Sequence, residues 1–557
     1  MCVPPAVEGI SIREDSTQVR SNGARGERCA QLSETVARNP HDGVLATQHA
    51  DALHEEGQLE KAAAEYRRAL GLDKTLADAW YGLGRVELDL GATGEALRCF
   101  RRVLILAPGR ATAHFNLGKA LFDLGEIDAA VDHFRTAADA PDPGLRQKAL
   151  GVLACIIPGS PRADHLAVLQ TRRESARLEA AREVPASSSI QRPAASSGKL
   201  RLGYCSKFFH ARNWMKPVWG VINHHDRSVF EVHLFSDGMP PSTESGYQAN
   251  PLDQIYDARG LSNADLASLV TRTGIDILID LNGYSYQRRL GLFMRRPAPV
   301  IIGWFNMYAT SGIDSFDYII GDATVIPAAE EQFYCERVRR VAGSYLAYSV
   351  LYSVPDVASP PCLINGHITF ASLCSQYKIT DEVIAAWAMI LRRAPHTKLL
   401  LKNRELGDAT NRSALLERFA TWQIAPDRLR LDGPAPHEAF LAAYARVDIA
   451  LDTFPYNGGT TTMEALWQGV PVLTFNGDRW ASRQSRSLLL AAGLEDWCLP
   501  DRDAYIARAV TLAQSPTTAA ELASLRATMR ERLAHMPVCD SAGLCRALED
   551  IYREVAR

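Results

Sequence analysis

Three columns of residues recur every 34 positions in the N-terminal part of the chain, and this period limits the fold more than any other feature. The first column holds glycine, the second alanine and the third an aromatic residue. Their members are Gly57, Gly91 and Gly125; Ala62, Ala96 and Ala130; and Tyr66, Phe100 and Phe134. Such a period is typical of stacked helical hairpins, in which small residues let helices approach and aromatic side chains fill the groove. We therefore predict an α-solenoid from about residue 43 to residue 144.

Within this period, the residue pattern is that of the tetratricopeptide repeat. Unrelated helical hairpins are the alternative, and they would need three columns to align by chance. The pattern stays helical to residue 184 without the signature, as an adaptor would, which gives a repeat and adaptor region over residues 43–184. Residues 1–42 lack sustained periodicity and are predicted to be a loosely ordered leader. The motif residues of two successive units are Trp80, Leu83, Gly84, Ala96, Phe100 and Pro108, then His114, Leu117, Gly118, Ala130 and Phe134.

Two domains of α/β type are predicted after the repeats. Residues 185–198 have the proline, serine and alanine content of a linker. Short apolar runs then alternate with helix-like stretches, as in parallel sheets covered by helices. A proline-bearing break over residues 351–364 divides this region into lobes of residues 199–350 and 365–557. A binding cleft is expected between the lobes, at the carboxyl ends of their strands.

Composition and charge disfavour several classes of function. The 557 residues include 61 basic and 64 acidic side chains, a net charge of -3, and no lysine and arginine cluster that could follow a nucleic-acid backbone. The 11 cysteines form no C-x-x-C pair, the N-terminus has no signal-peptide pattern, and no apolar run reaches the ~20 residues of a membrane span. We therefore expect a cytoplasmic protein with reduced thiols that binds neither nucleic acid nor membrane.

Common nucleotide and metal motifs are missing from the sequence. There is no G-x-x-x-x-G-K-[ST] and no G-x-G-x-x-G after a strand, which disfavours a kinase or a simple dehydrogenase. The lone D-x-D, Asp501 to Asp503, precedes a helical stretch and suits a helix N-terminus better than a metal. No histidine or cysteine cluster has metal-ligand spacing. We expect no metal and no cofactor, so amides, hydroxyls and cations of the protein would have to hold any phosphate.

A glycine and threonine turn in the second lobe is the clearest candidate for such a site. In YNGGTTTMEALWQGVPV, Gly458 and Gly459 allow close backbone approach, and Thr460 to Thr462 supply an N-cap hydroxyl and free amides where a helix begins. A helix that begins in this way can bind an anion. On these residues alone, an ordinary capped helix is the competing interpretation.

The segment around this turn resembles the nucleotide-sugar segment of the O-linked N-acetylglucosamine transferases. In residues 450–489, an L-D-T, an N-G-x-T-T, an acid, an L-W-x-G-x-P and an S-R follow one another in that family's order. FASLCSQYKI resembles the family's lysine-bearing strand and turn, and tetratricopeptide repeats precede the lobes in that family too. The resemblance extends from about residue 43 to the end of the chain. Stretches similar to the family's N-terminal catalytic lobe are RLGYCSKFFH, DLNGY, RRPAPVIIGW, TSG and DYIIGD.

The resemblance implies a GT-B fold of two Rossmann-like domains. It also implies an inverting enzyme that transfers N-acetylglucosamine from UDP-N-acetylglucosamine to Ser or Thr of polypeptides without a metal, with the repeats presenting the acceptor. A related transferase that uses UDP-glucose or UDP-galactose, acting also on Asn, is one alternative. A repeat-based binding scaffold with inactive lobes is the other. The compact form, without the insertion between the lobes of animal enzymes, resembles bacterial members.

The resemblance assigns roles to five residues of the second lobe. Lys378, Thr460 and Thr461 would oppose the growing charge of the pyrophosphate, with a solvated surface lysine as the alternative for Lys378. Glu464 would accept hydrogen bonds from ribose hydroxyls. His437 falls where relatives hold the uracil region, with a position on a loop surface as the alternative.

His210 matches a family histidine that lines the sugar and acceptor site, where a neutral imidazole can accept a proton. Its spacing from Phe208 is shorter than the family's F-x-x-H, so a surface histidine is the alternative. The implied donor site is completed by Ser375, Gln376, Gly458 and Gly459. Weaker candidates for the cleft rim are Asn282, Tyr284, Thr310 and Ser311.

Three departures from the family's pattern bear on the fit of the donor sugar and on turnover. Residues 306–312 read NMYATSG where relatives carry G-Y-P-G-T-S-G. Gly459 stands where many relatives carry histidine. Leu373 and Cys374 replace the F-N before the lysine.

Overall fold

The computed structural model describes residues 22–182 and 198–557. The helices of the first range are Asn22–Arg38 (α1), Gly43–Glu55 (α2), Leu59–Leu72 (α3), Ala77–Asp89 (α4), Thr93–Leu106 (α5), Ala111–Asp123 (α6), Ile127–Ala138 (α7), Pro143–Ile156 (α8) and His165–Arg182 (α9). Helices α2 to α7 pair as three consecutive hairpins, and α8 and α9 follow them. None of the helices in the two ranges has both the length and the apolar content that a bilayer crossing requires.

The recurring residues account for the shape of the hairpins. Gly57, Gly91 and Gly125 lie in the turns with φ values of 77°, 82° and 85°, a left-handed backbone that favours glycine. The alanine and aromatic columns are fully buried. An added Cβ at Gly82 would lie 2.2 Å from the ring of Tyr66, so a small residue makes room for the aromatic one. The predicted tetratricopeptide solenoid is confirmed.

The prediction of a loosely ordered leader over residues 1–42 is wrong for the part that the structure describes. Residues 22–38 form α1, on which Cys29 is 8% exposed, and Asp42 caps α2 by accepting from the amides of Val44 and Leu45. Helix α1 has few apolar residues and depends on its packing against α2, which periodicity alone does not reveal. Residues 1–21 and most of the predicted linker lie outside the described residues.

The N-lobe is a parallel sheet of seven strands covered by helices. Its strands are Leu200–Ser206 (β1), Phe230–Ser236 (β2), Gln254–Asp257 (β3), Ile277–Asp280 (β4), Val300–Gly303 (β5), Tyr318–Asp322 (β6) and Arg337–Val341 (β7). The strand order is β3-β2-β1-β4-β5-β6-β7, so β1 lies beside both β2 and β4, where the strand order reverses. Its helices are Arg212–His224 (α10), Asn263–Thr273 (α11) and Leu290–Met294 (α12).

The C-lobe repeats this design with six parallel strands. They are Thr369–Ser372 (β8), Lys398–Lys402 (β9), Leu429–Asp432 (β10), Ile449–Leu451 (β11), Val472–Phe475 (β12) and Cys498–Leu499 (β13), in the order β10-β9-β8-β11-β12-β13. The helices after the N-lobe strands are Cys362–Asn365 (α13), Asp381–Arg393 (α14), Ala409–Ala420 (α15), His437–Ala442 (α16), Thr460–Trp467 (α17), Gln484–Ala491 (α18), Arg502–Gln514 (α19), Thr518–Ala534 (α20) and Ser541–Val555 (α21). Two Rossmann-like sheets in series are a GT-B fold, as predicted.

The predicted boundary of the second lobe, residues 365–557, is wrong at its end. Helix α21 packs on α10 of the N-lobe. Glu549 on α21 accepts from His225 Nδ1 at 2.9 Å, and the hydroxyls of Tyr552 and Tyr204 lie 3.2 Å apart. The chain therefore returns to the first lobe after it completes the second. Local sequence patterns do not predict this tertiary contact.

The third hairpin packs directly on the turn that follows β8. The rings of Phe122 and Tyr377 stack with their centroids 4.8 Å apart. An added Cβ at Gly125 would lie 2.3 Å from the backbone carbonyl oxygen of Ile379. Part of the solenoid therefore supports the C-lobe beside Lys378.

Candidate active site

A cavity of about 320 Å³ lies between the lobes. Its walls are segments that follow β1, β4, β5 and β7 in the N-lobe and β8 to β12 in the C-lobe, so it occupies the carboxyl ends of the strands as expected. The structure brings most of the predicted donor-site residues together there. They are Ser375, Lys378, His437, Gly459, Thr460, Thr461 and Glu464.

A buried carboxylate shapes the glycine turn that precedes α17. Asp452, 6% exposed, accepts from the amides of Thr453 and Gly458 through Oδ1 and from the hydroxyl of Thr474 through Oδ2, at 2.7 to 3.0 Å. An added Cβ at Gly458 would lie 2.6 Å from Thr462 Oγ1. Gly458 therefore lets the threonines fold over the turn, and it does not itself line the cavity.

The first turn of α17 presents free amides to the cavity. The N-cap residue is Gly459, and no side chain caps the helix, so the expected threonine N-cap is wrong. In the described part of the chain, the amides of Thr460, Thr461 and Thr462 have no hydrogen-bond acceptor. Their partial positive charge, together with the helix dipole, suits an anionic group.

Lys378 lies opposite this helix start, at the end of a 3-10 turn over Gln376–Lys378. Its Nζ donates to the carbonyl oxygen of Asn457 at 2.6 Å and lies 4.2 Å from the centroid of the Tyr456 ring. Burial lowers the pKa of Lys378 to about 8. A weakly hydrated ammonium therefore faces the same space as the free amides.

Glu464 and His437 form one cluster with a lysine of the N-lobe. Oε1 of Glu464 accepts from Lys216 Nζ at 2.6 Å and from His437 Nε2 at 2.9 Å. Burial alone would raise the pKa of Glu464, but the hydrogen bonds and charges of His437 and Lys216 hold it below its ordinary value. The carboxylate is therefore ionised and held in place, with Oε2 left to accept from a ligand.

Besides Gly458, two residues predicted for the site do not line the cavity. His210 is exposed in the turn after β1, against Gly238, and it does not line the cavity. The following residues enter α10, which turns Asn213 and Trp214 toward the cavity instead. Gln376 is 2% exposed and accepts from Asn403 Nδ2 at 3.0 Å, so it holds the turn behind Lys378.

The weaker rim candidates are buried behind the cavity wall. The hydroxyl of Tyr284 donates to the carbonyl oxygen of Ser311 at 2.6 Å, and that of Thr310 donates to Glu336 at 2.8 Å. Asn282 Oδ1 accepts from the amide of Lys207 at 2.9 Å. These side chains fix the loops after β4 and β5, and Ser285 is the neighbour that reaches the cavity.

Sequence reasoning missed several lining or supporting residues. Asn213 Oδ1 and Trp214 Nε1 are buried without a hydrogen-bond partner among the described residues, in side chains that line the cavity. Gln484 and Tyr348 also line it. A lysine inside the apolar stretch NWMKPVW was the available signal for Lys216, because a lysine on the buried face of a helix needs a partner.

Backbone strain lies in the segment NMYATSG, which departs from the family's pattern, and in the residue before it. Phe305 and Tyr308 have φ values of 73° and 55°, in the left-handed region that costs a non-glycine residue about 1–2 kcal/mol. Both side chains line the cavity, and the Tyr308 ring lies 5.4 Å from that of Tyr456. Strain of this kind gathers at functional sites. Here it places an aromatic wall opposite Lys378.

One group of ligand-type side chains in the described ranges is close enough together to hold a metal ion: His225, Cys545 and Glu549. Glu549 Oε1 already accepts from His225 Nδ1 and from the amide of Asp226, each at 2.9 Å. None of the three residues lines the cavity. The expectation that the site works without a metal stays a prediction.

Comparison with known proteins identifies similar sequences. The family model of glycosyl transferase family 41 matches residues 182–350 and 360–548. Two models of tetratricopeptide repeats match residues 50–91 and 81–145. The probable UDP-N-acetylglucosamine–peptide N-acetylglucosaminyltransferase SPINDLY of Solanum lycopersicum is 31% identical over 366 residues, 64% of this chain and 39% of that protein. The probable transferase SEC of Arabidopsis thaliana is 27% identical over 369 residues, 64% of this chain and 37% of that protein. The chain thus spans about two fifths of these relatives.

A solved structure matches almost the whole chain. A mutant of the Thermobaculum terrenum O-GlcNAc transferase, in which methionine replaces one lysine, is 30% identical, with a TM-score of 0.75. The match covers 93% of this chain and 98% of that one. The repeats and both lobes therefore follow one another in that protein as they do here.

Proposed function

The chain belongs to glycosyl transferase family 41, and we propose that it transfers N-acetylglucosamine from UDP-N-acetylglucosamine to Ser or Thr hydroxyls of polypeptides. One observation carries this proposal: a half-buried lysine and the uncapped N-terminus of α17 face the same interlobe cavity. Relatives whose names state this donor and peptide acceptors support the choice of sugar and acceptor.

The geometry suits a reaction with a diphosphate leaving group. The acceptor oxygen forms a bond to the anomeric carbon from the face opposite the leaving group, the bond from that carbon to the β-phosphate oxygen breaks, and the proton of the acceptor hydroxyl is released to water. The electron pair leaves with UDP, so negative charge grows on the pyrophosphate. Lys378 and the amides of Thr460 and Thr461 stabilise that charge, which lowers the barrier most when these groups are already in place. Oε2 of Glu464 accepts from the ribose hydroxyls.

Ranking UDP-sugars by thermal shift tests the donor. UDP-N-acetylglucosamine is expected to raise the melting temperature more than UDP-glucose or UDP-galactose, because it alone carries the acetamido group that the cavity has to accommodate. The thermal shift therefore measures which donor sugar fits the cavity that Phe305 and Tyr308 line. A larger shift with either other sugar would assign the chain to a related transferase.

The low pKa of Lys378 makes donor capture depend on pH. Because its pKa is lowered in the folded protein, the ammonium loses its charge as the pH rises through about 8. kcat/KM for the donor is therefore expected to fall about tenfold for each pH unit above that value, while kcat holds to higher pH because bound diphosphate stabilises the ammonium. Lys378→Arg, which stays charged, should lose this alkaline limb. A wild-type kcat/KM that stays constant well above the pKa would contradict the assignment.

Donor binding is expected to be independent of a divalent metal. Lys378 and the free amides of α17 already supply the positive charge that Mg²⁺ provides in other nucleotide sites. UDP affinity measured by calorimetry should agree within about threefold in millimolar EDTA and in Mg²⁺. A loss of about tenfold or more on chelation would contradict the metal-free site.

We propose that the repeats present the polypeptide acceptor, since stacked hairpins offer an extended surface without chemistry of their own. Deleting residues 1–74 removes α1 to α3 and spares the contacts of the third hairpin with the C-lobe. UDP affinity should stay the same, and modification of protein acceptors should fall about fivefold or more relative to that of a short peptide. A folded variant that labels proteins at the full rate would show that these helices do not dock the acceptor.

A further inference from the structure

A lysine of the N-lobe reaches across the cleft to a carboxylate of the C-lobe. Lys216 lies on α10, and its Nζ donates to Glu464 Oε1 on α17 at 2.6 Å, although 248 positions separate the two residues. Their side chains are 3% and 6% exposed. An ion pair so well enclosed is sensitive to the loss of either partner, since the remaining charge is then buried without compensation.

Among the residues that the structure describes, Glu464 is the one anionic partner of the Lys216 ammonium. Nζ lies 4.3 Å from the centroid of the Tyr352 ring, which belongs to the segment between the lobes. That ring also packs edge-on against His437, with the centroids 5.3 Å apart. Since a carboxylate only accepts, His437 Nε2 carries the hydrogen in its contact with Glu464. Lys216 therefore fixes a cluster that contains groups from both lobes and from the segment joining them.

The same carboxylate lies in the helix whose N-terminus faces the cavity. An ionised and unpaired Glu464 would repel a diphosphate bound at Thr460 and Thr461, because both anions would share one poorly hydrated cleft. Lys216 cancels that charge and occupies Oε1. Oε2 has no hydrogen-bond partner among the described residues and is left for a ligand hydroxyl.

We propose that Lys216 is a positioning residue for the donor: it neutralises and orients Glu464 and, through this contact, ties the two lobes together around the bound nucleotide. The inference rests on the proposed donor site. It assigns to the ion pair between α10 of the N-lobe and α17 of the C-lobe a part in holding the nucleotide.

UDP affinity, measured by calorimetry on the full chain, tests the proposal. Lys216→Met should weaken UDP binding about tenfold or more, because it leaves Glu464 charged beside the diphosphate with only the hydrogen bond from His437. Lys216→Met combined with Glu464→Gln should bind UDP within about threefold of Glu464→Gln alone, since the double variant has no unpaired carboxylate. Donor KM should rise in Lys216→Met while kcat at saturating donor changes little. Lys216→Arg should restore most of the affinity.

Lys207→Met is the matched control, because Lys207 is on the same lobe, rests on the Tyr286 ring and does not line the cavity. If Lys216→Met does not fold, Lys216→Gln and its combination with Glu464→Gln replace it, with the same expected pattern. Wild-type UDP affinity in Lys216→Met would overturn the proposal. So would a double variant in which the two single losses of UDP affinity simply multiply. A wild type that binds no UDP would instead refute the proposed function on which it rests.

Discussion

Replacing Lys378 with alanine is expected to slow turnover at saturating donor by about 100-fold or more, near 3 kcal/mol in the barrier, with a smaller loss of UDP affinity. The ammonium lies beside the free amides of α17, and its charge matters most when the pyrophosphate leaves. Thr461→Ala should have a weaker effect in the same direction, because the amide of residue 461 remains. UDP release with acceptor present measures both.

The effect of Lys378→Ala can be interpreted only if the variant is shown to be folded. The variant also loses the hydrogen bond from Nζ to Asn457, so its melting temperature and its UDP affinity have to be measured alongside turnover. Turnover within about threefold of the wild type in a folded variant would show that Lys378 is not in the active site.

Replacing Gly125 with alanine is expected to lower both stability and turnover. The residue has a φ of 85°, and its new Cβ would lie 2.3 Å from the carbonyl oxygen of Ile379, next to Lys378. Either the third hairpin or the lysine turn has to move. We expect a loss of about 3 kcal/mol in the free energy of unfolding and about tenfold or more in turnover, since small displacements of a catalytic group are costly.

Gly57→Ala is the control that distinguishes the effect of the clash with Ile379 from the effect of backbone strain alone. Gly57 occupies the same turn position of the first hairpin, with a φ of 77°, and no atom lies within 4 Å of an added Cβ. It should lose only about 1 kcal/mol of stability and keep its turnover. Equal effects of the two substitutions on turnover would show that the repeats do not support the lysine turn.

The repeats could be predicted in detail because their determinants are local. Each glycine sets its own turn, and each aromatic residue meets a small residue of a neighbouring helix, so a period of 34 residues encodes both. The lobes could be predicted for a similar reason, since buried parallel strands are continuous apolar runs. Helix α21 could not, because its place on the N-lobe depends on contacts such as that of Glu549 with His225.

The site was predictable where residues adjoin in sequence and not where they meet across the cleft. Lys378, Thr460, Thr461 and Glu464 follow strands of one sheet, so a resemblance that aligns the strands also aligns them. His210 shows the opposite case, because a shift of a few residues in the turn after β1 leaves it exposed and brings Asn213 and Trp214 to the cavity.

The pairing of Lys216 with Glu464 shows a second limit. Neither residue's neighbours specify the contact, which exists only because two separately folded sheets come together. The departure at residues 306–312 was visible as residue changes, but the strained backbone that places the rings of Tyr308 and of the preceding Phe305 in the cavity required the structure.

Incorporation of label from UDP-N-acetylglucosamine tests the central claim most directly. The wild type and Lys378→Ala are incubated with the radiolabelled donor and a cell lysate, and labelled peptides are sequenced by mass spectrometry. We predict N-acetylhexosamine on Ser or Thr with the wild type and about 100-fold less with the variant. Equal labelling by the two proteins, or a wild type that binds UDP and labels no polypeptide, would contradict the account.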